Sequence, residues 1–88
     1  MEKKCFTIIN RLGLHARAAA QLVQTANQFC SEVVIVKEGE EVNGKSIMGI
    51  LMLAAAQGSK ISVQVTGDDA GQAIEAIGKL IEDGFGEE

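Results

Sequence analysis

The chain contains no tryptophan, tyrosine or proline, and only three phenylalanines, two cysteines and one histidine in 88 residues. Each scarcity excludes something. Without the larger rings the core has to be aliphatic. Cys5 and Cys30 are too few and too scattered for a disulfide framework, and in a cytosolic chain they read as small buried hydrophobes. Cys5, His15 and Cys30 contain no close-spaced ligand pair, so no metal and no cofactor is expected. No apolar run approaches the ~20 residues that span a bilayer, so no membrane insertion is expected. The start, Met1-Glu2-Lys3-Lys4-Cys5, lacks the apolar segment of a secretory signal, which predicts a cytoplasmic protein. The net charge is −4. With its basic residues scattered, the chain does not suit a nucleic-acid partner, whose phosphates are held by clustered lysine and arginine.

What is there is enough for one domain over residues 1–88, near the lower size limit for a core without cross-links. The apolar fraction of 47% is ordinary for a folded protein. Lys3–Ile9 alternate, with Phe6 and Ile8 on one face and Cys5, Thr7 and Ile9 on the other, a half-buried strand. From Ala16 the period changes to that of a helix: Ala19, Leu22, Val23, Ala26 and Phe29 make one apolar stripe, predicting a helix over Ala16–Gln28. Glu32–Lys37 and Glu40–Asn43, separated by Glu38-Gly39, read as a hairpin. Ser46 is placed to cap a short helix over Ile47–Leu53. Lys60–Thr66 alternates as a strand. Asp69 and Gln72 resemble a capping box before a helix over Asp69–Asp83, whose stripe is Ala70, Ala73, Ile74, Ile77 and Ile81. Gly84 stops that helix, and Glu87-Glu88 is expected to fray. The order predicts an α+β open-faced β-sandwich, a four-stranded sheet covered on one face by three helices.

His15 lies in Asn10-Arg11-Leu12-Gly13-Leu14-His15-Ala16-Arg17, where the strand pattern gives way to the helix pattern. Imidazole attacks phosphorus only through an unprotonated nitrogen. A histidine with the ordinary pKa of ~6.5 is largely neutral at cytosolic pH, and a helix N-terminus disfavours the charged form. The same helix end offers unpaired N–H groups to an anion, and Arg17 adds a charge that binds phosphoryl oxygens. A helix end contributes ~0.3–2 kcal/mol and an exposed arginine pair ~0–1 kcal/mol. Such a site orients a phosphoryl group without trapping it. The chain has no phosphate-cradling loop and no carboxylate set for Mg²⁺. It fits a phosphoryl carrier better than a self-sufficient enzyme.

Leu12-Gly13-Leu14-His15-Ala16-Arg17-Ala18-Ala19 resembles the active-site signature of the HPr family, histidine-containing phosphocarriers of the bacterial phosphotransferase system. The resemblance covers essentially the whole chain, including Gly44-Lys45-Ser46-Ile47-Met48-Gly49. Asn10-Arg11-Leu12-Gly13, Leu51-Met52-Leu53 and Gly84-Phe85-Gly86-Glu87-Glu88 look closer to the family's nitrogen-type branch. The resemblance implies an antiparallel sheet. It also implies that His15 accepts a phosphoryl group on Nδ1 from enzyme I, charged by phosphoenolpyruvate, and passes it to an enzyme IIA component, with Arg17 steadying the group. It implies an alternative as well: a mainly regulatory phosphoprotein that controls partners through the phosphorylation state of His15 or Ser46.

Ser46 is read first as a helix cap. By the resemblance it is also a regulatory site for an ATP-dependent serine kinase and its phosphatase, where a phosphate would add about −1.5 to −2 charges. Ile47, Met48, Leu51 and Met52 exceed what one stripe can bury, so Ile47, Met48 and Leu51 are expected to surface with Ala20 as a docking patch, on a monomer. Ala18 stands where the family usually has proline. Proline in a first helical turn costs no hydrogen bond, so its absence predicts a softer helix start with activity retained.

Overall fold

A computed structural model describes residues 1–87. It contains β1 (Glu2–Thr7), α1 (Ala16–Ala26), β2 (Glu32–Lys37), β3 (Glu40–Asn43), α2 (Ile47–Met52), β4 (Lys60–Thr66), α3 (Ala70–Glu82) and a 3₁₀ turn, Gly84–Gly86. The four strands lie in the order β1-β4-β2-β3, every neighbouring pair antiparallel. Alternation sets the register. Phe6 pairs with Ile61 and Ile35 with Val63, so their side chains share the helix-covered face, whereas Cys5, Ser62, Val36 and Glu41 line up across the outer one.

The core is aliphatic, as the composition requires. Ile8, Leu22, Ile35, Ile50, Ile61, Ile77 and Ile81 are fully buried, each stabilising the fold by roughly 1.5–3 kcal/mol on burial. Phe6 fits because α3 passes close to β1 at Gly78, where a Cβ would lie 2.7 Å from the Phe6 ring. α1 packs on α2 and α3, and α3 packs on β1 and β4. Among the described residues no helix is long and apolar enough to cross a membrane, and no three His, Cys, Asp or Glu side chains group to hold a metal ion.

Several expectations need correction. Both cysteines are exposed: Cys5 points to the outer sheet face, and Cys30 lies in the turn between α1 and β2. α1 ends at Ala26, leaving Phe29 beyond it and partly buried. The ladder of β1 ends at Thr7, although Ile8 still bonds to the Gly58-Ser59 turn. Ile9 is exposed. Asp69 starts α3 without a side-chain cap; no capping box forms. Its carboxylate instead accepts the N–H of Cys30 at 2.9 Å, the N–H of Ser31 at 3.0 Å and the Ser31 hydroxyl. It thereby ties the start of α3 to the start of β2. These bonds, the Ser31 hydroxyl first, hold the Asp69 carboxyl below the usual carboxylate range. Nor is Glu87 a loose end. Glu88 lies outside the described residues.

Candidate functional site

The loop from Asn10 to Leu14 carries His15 to the start of α1 and is fixed at both ends. The Gly13 N–H bonds to the Asn10 carbonyl at 3.1 Å, and the Leu14 N–H bonds to the Ala55 carbonyl at 2.8 Å. The buried Asn10 side chain donates from Nδ2 to the Gly13 carbonyl at 2.7 Å. Gly13 has φ +67, and a Cβ there would lie 2.9 Å from the Ala56 backbone. Only glycine meets both conditions without strain.

His15 is the N-cap residue of α1, extended at φ −81 and ψ −179, and its side chain makes no cap bond. Its carbonyl accepts the Ala19 N–H at 2.8 Å, closing the first helical turn. Among the described residues the N–H groups of Ala16, Arg17 and Ala18 find no acceptor, so the positive end of α1 stays open. Ala18 itself is fully buried. Arg17 is exposed and forms no ion pair among the described residues.

The imidazole is 27% exposed and is not alone. His15 Nε2 contacts the Glu87 carboxylate, whose side chain is 18% exposed. Asn10 Nδ2 donates to the same Glu87 oxygen at 3.1 Å. The His15 contact above all holds the Glu87 carboxyl below the usual carboxylate range; desolvation opposes it, and the Asn10 bond adds a lesser lowering effect. Sequence reasoning missed Glu87 and Asn10 as site residues. Glu87 is 72 positions from His15, and no local pattern links them.

Ser46 caps α2: its Oγ accepts the Gly49 N–H at 3.0 Å. Ile50 is the only residue of α2 that is buried. Ile47 is exposed and Met48 is 69% exposed, while Leu51 and Ala20 are half-buried. Leu12 and Met52 are also exposed.

Residues 2–83 match the family described as the PTS HPr component phosphorylation site. A phosphocarrier protein HPr from Neisseria meningitidis serogroup A is 52% identical over 87 residues, 99% of this chain and 98% of that protein. Among solved structures, HPr-C-His from Thermoanaerobacter tengcongensis superposes with a TM-score of 0.97 at 46% identity, covering 100% of this chain and 99% of that one. Crh of Bacillus subtilis, a catabolite repression protein described as a swapped dimer, matches with a TM-score of 0.77 at 36% identity, covering 96% and 97%. Sequence and fold are thus shared along nearly the whole chain with proteins of one kind, and the chain belongs to the HPr family of phosphocarrier proteins.

Proposed function

We propose that this single-domain protein carries a phosphoryl group on Nδ1 of His15, receiving it from enzyme I after its charging by phosphoenolpyruvate and delivering it to an enzyme IIA component. One observation carries the assignment to His15. Its ring is partly exposed at the open N-terminus of α1, with Nε2 engaged by Glu87 and Nδ1 left without a hydrogen-bond partner among the described residues. The unpaired amides of α1 and the exposed Arg17 suit a phosphoryl group seated there. Both supports are modest, so the group is held and released rather than trapped.

Ile47, Met48, Leu51 and Ala20 form the docking surface in this reading, and methionine suits a surface that must take more than one partner. Ser46 is the candidate for regulatory phosphorylation by an ATP-dependent kinase, at the start of a helix that tolerates added negative charge. The chain acts in the cytoplasm as a monomer; the swapped Crh dimer supplies the contrary case, and the elution volume on size exclusion separates the two. A mainly regulatory role of the nitrogen type is not favoured, because the relatives are named phosphocarriers.

Incubation with phosphoenolpyruvate and a bacterial enzyme I should place an acid-labile, base-stable phosphate on the wild type and none on His15→Ala. An unlabelled wild type overturns the carrier reading. Label without onward transfer to any enzyme IIA supports the regulatory one.

A further inference from the structure

Resting on the carrier reading of His15, we propose that Glu87, braced by Asn10, is the positioning residue that fixes the His15 ring for phosphoryl transfer.

The end of the chain is built to deliver this carboxylate. Gly84, Phe85 and Gly86 follow one another at φ +64, +57 and +74, turning the backbone sharply after α3. Phe85 is uncommon in that conformation and is held there by burial of its ring. The Glu87 N–H then bonds to the Gly84 carbonyl at 3.1 Å. Asn10 braces the other side. Both of its Nδ2 bonds are directed, one to the Gly13 carbonyl of the histidine loop and one to Glu87. Its Oδ1 is buried without a partner among the described residues. A buried amide left half-satisfied costs stability, so its presence fits a role in joining loop to tail.

The consequence for the ring follows from donor and acceptor chemistry. An ionised carboxylate only accepts hydrogen bonds. The ring nitrogen facing it, Nε2, therefore carries the proton, and in the neutral imidazole the lone pair is on Nδ1. During loading, that lone pair forms the bond to phosphorus. The bond from phosphorus to the donor's histidine nitrogen breaks, and its electron pair returns to the donor ring. During delivery the Nδ1–phosphorus pair returns to Nδ1 as the acceptor's bond forms. The Nε2 proton stays in place through both steps. Glu87 takes no proton; it keeps the ring in the nucleophilic tautomer and faces the positive charge that the ring gains while Nδ1 bears the phosphoryl group. Arg17 remains free for the phosphoryl oxygens.

The test uses Glu87→Gln and Glu87→Ala, both at a part-buried position that is not itself a core residue. Glutamine keeps the size but can donate to Nε2 and so favours the Nδ1–H tautomer. Removing such a supporting partner should lower the maximal rate of labelling by enzyme I about tenfold, with the KM for the carrier unchanged. The ¹⁵N shifts of the His15 ring should move toward the Nδ1–H form in Glu87→Gln. Wild-type rates in both variants, a changed KM at unchanged maximal rate, or unmoved ring shifts would overturn the proposal. His15→Ala, run alongside, separates the two claims. If it loses all label while the Glu87 variants behave as wild type, only the positioning role fails; if it retains label, the assignment to His15 fails as well.

Discussion

The starts of α1 and α2 are the same structural object put to opposite uses. At α2, Ser46 turns its hydroxyl back onto the Gly49 N–H, and the helix end is satisfied by its own chain. At α1, the corresponding residue is His15, which makes no such bond, and the N–H groups of Ala16, Arg17 and Ala18 stay open. A capping side chain spends the amides that an incoming anion would use. A residue that does not cap leaves them available, at some loss of helix stability. His15 has a further reason not to cap, because its ring is drawn away by the Glu87 carboxylate. The difference teaches that the candidate site depends as much on what His15 does not do for its helix as on its imidazole.

The sharpest way to break the contrast is to make α1 resemble α2. His15→Ser installs a capping hydroxyl where the ring was. Phosphoryl incorporation should be lost altogether, and hydrogen exchange at Arg17 and Ala18 should slow as one amide gains an acceptor. Unchanged exchange at both would mean that the open end has another cause. The reverse change, Ser46→Ala, should cost about 1 kcal/mol of unfolding free energy, the usual worth of a serine cap, and should speed exchange at Gly49. Chemical denaturation with an unchanged midpoint would show that α2 is held by its packing on α1 rather than by its cap.

How much of this was legible in the sequence depends on the range over which each contact acts. β2, β3 and β4 carry an alternating or β-branched pattern bounded by turns, so local reading places them at Glu32–Lys37, Glu40–Asn43 and Lys60–Thr66, as in the structure. The Ser46 cap is likewise a contact across three residues. The His15 helix start is visible because a period of two changes to 3.6 there. The tail is different. Nothing in Gly84-Phe85-Gly86-Glu87 shows that Phe85 anchors in the core and returns Glu87 to a loop 72 positions earlier. The cysteines mislead for a related reason: their general preference for burial is overruled by the face on which β1 presents Cys5 and by the turn that holds Cys30.

The third helix start, at α3, is where a local rule and a distant partner compete. Asp69 followed by Gln72 has the spacing of a capping box, yet Asp69 bonds across 38 and 39 positions to Ser31 and Cys30. Ser31 is almost fully buried, and the carboxylate meets both its hydroxyl and its N–H, which a cap onto α3 would leave without that acceptor. Because those bonds depress the Asp69 pKa in the folded state, the stabilisation is present above the ordinary carboxylate range. It is lost as the pH falls through the depressed folded value. Asp69→Asn removes that titration. Its unfolding free energy should be lower than that of the wild type at neutral pH, and the gap between them should narrow as the pH is taken below about 4. The effect is the smallest of the three because the group is partly exposed and water screens it. A gap of constant size across the acid range would mean that the clamp does not depend on the charge of Asp69, and that the α3 start is held by shape alone.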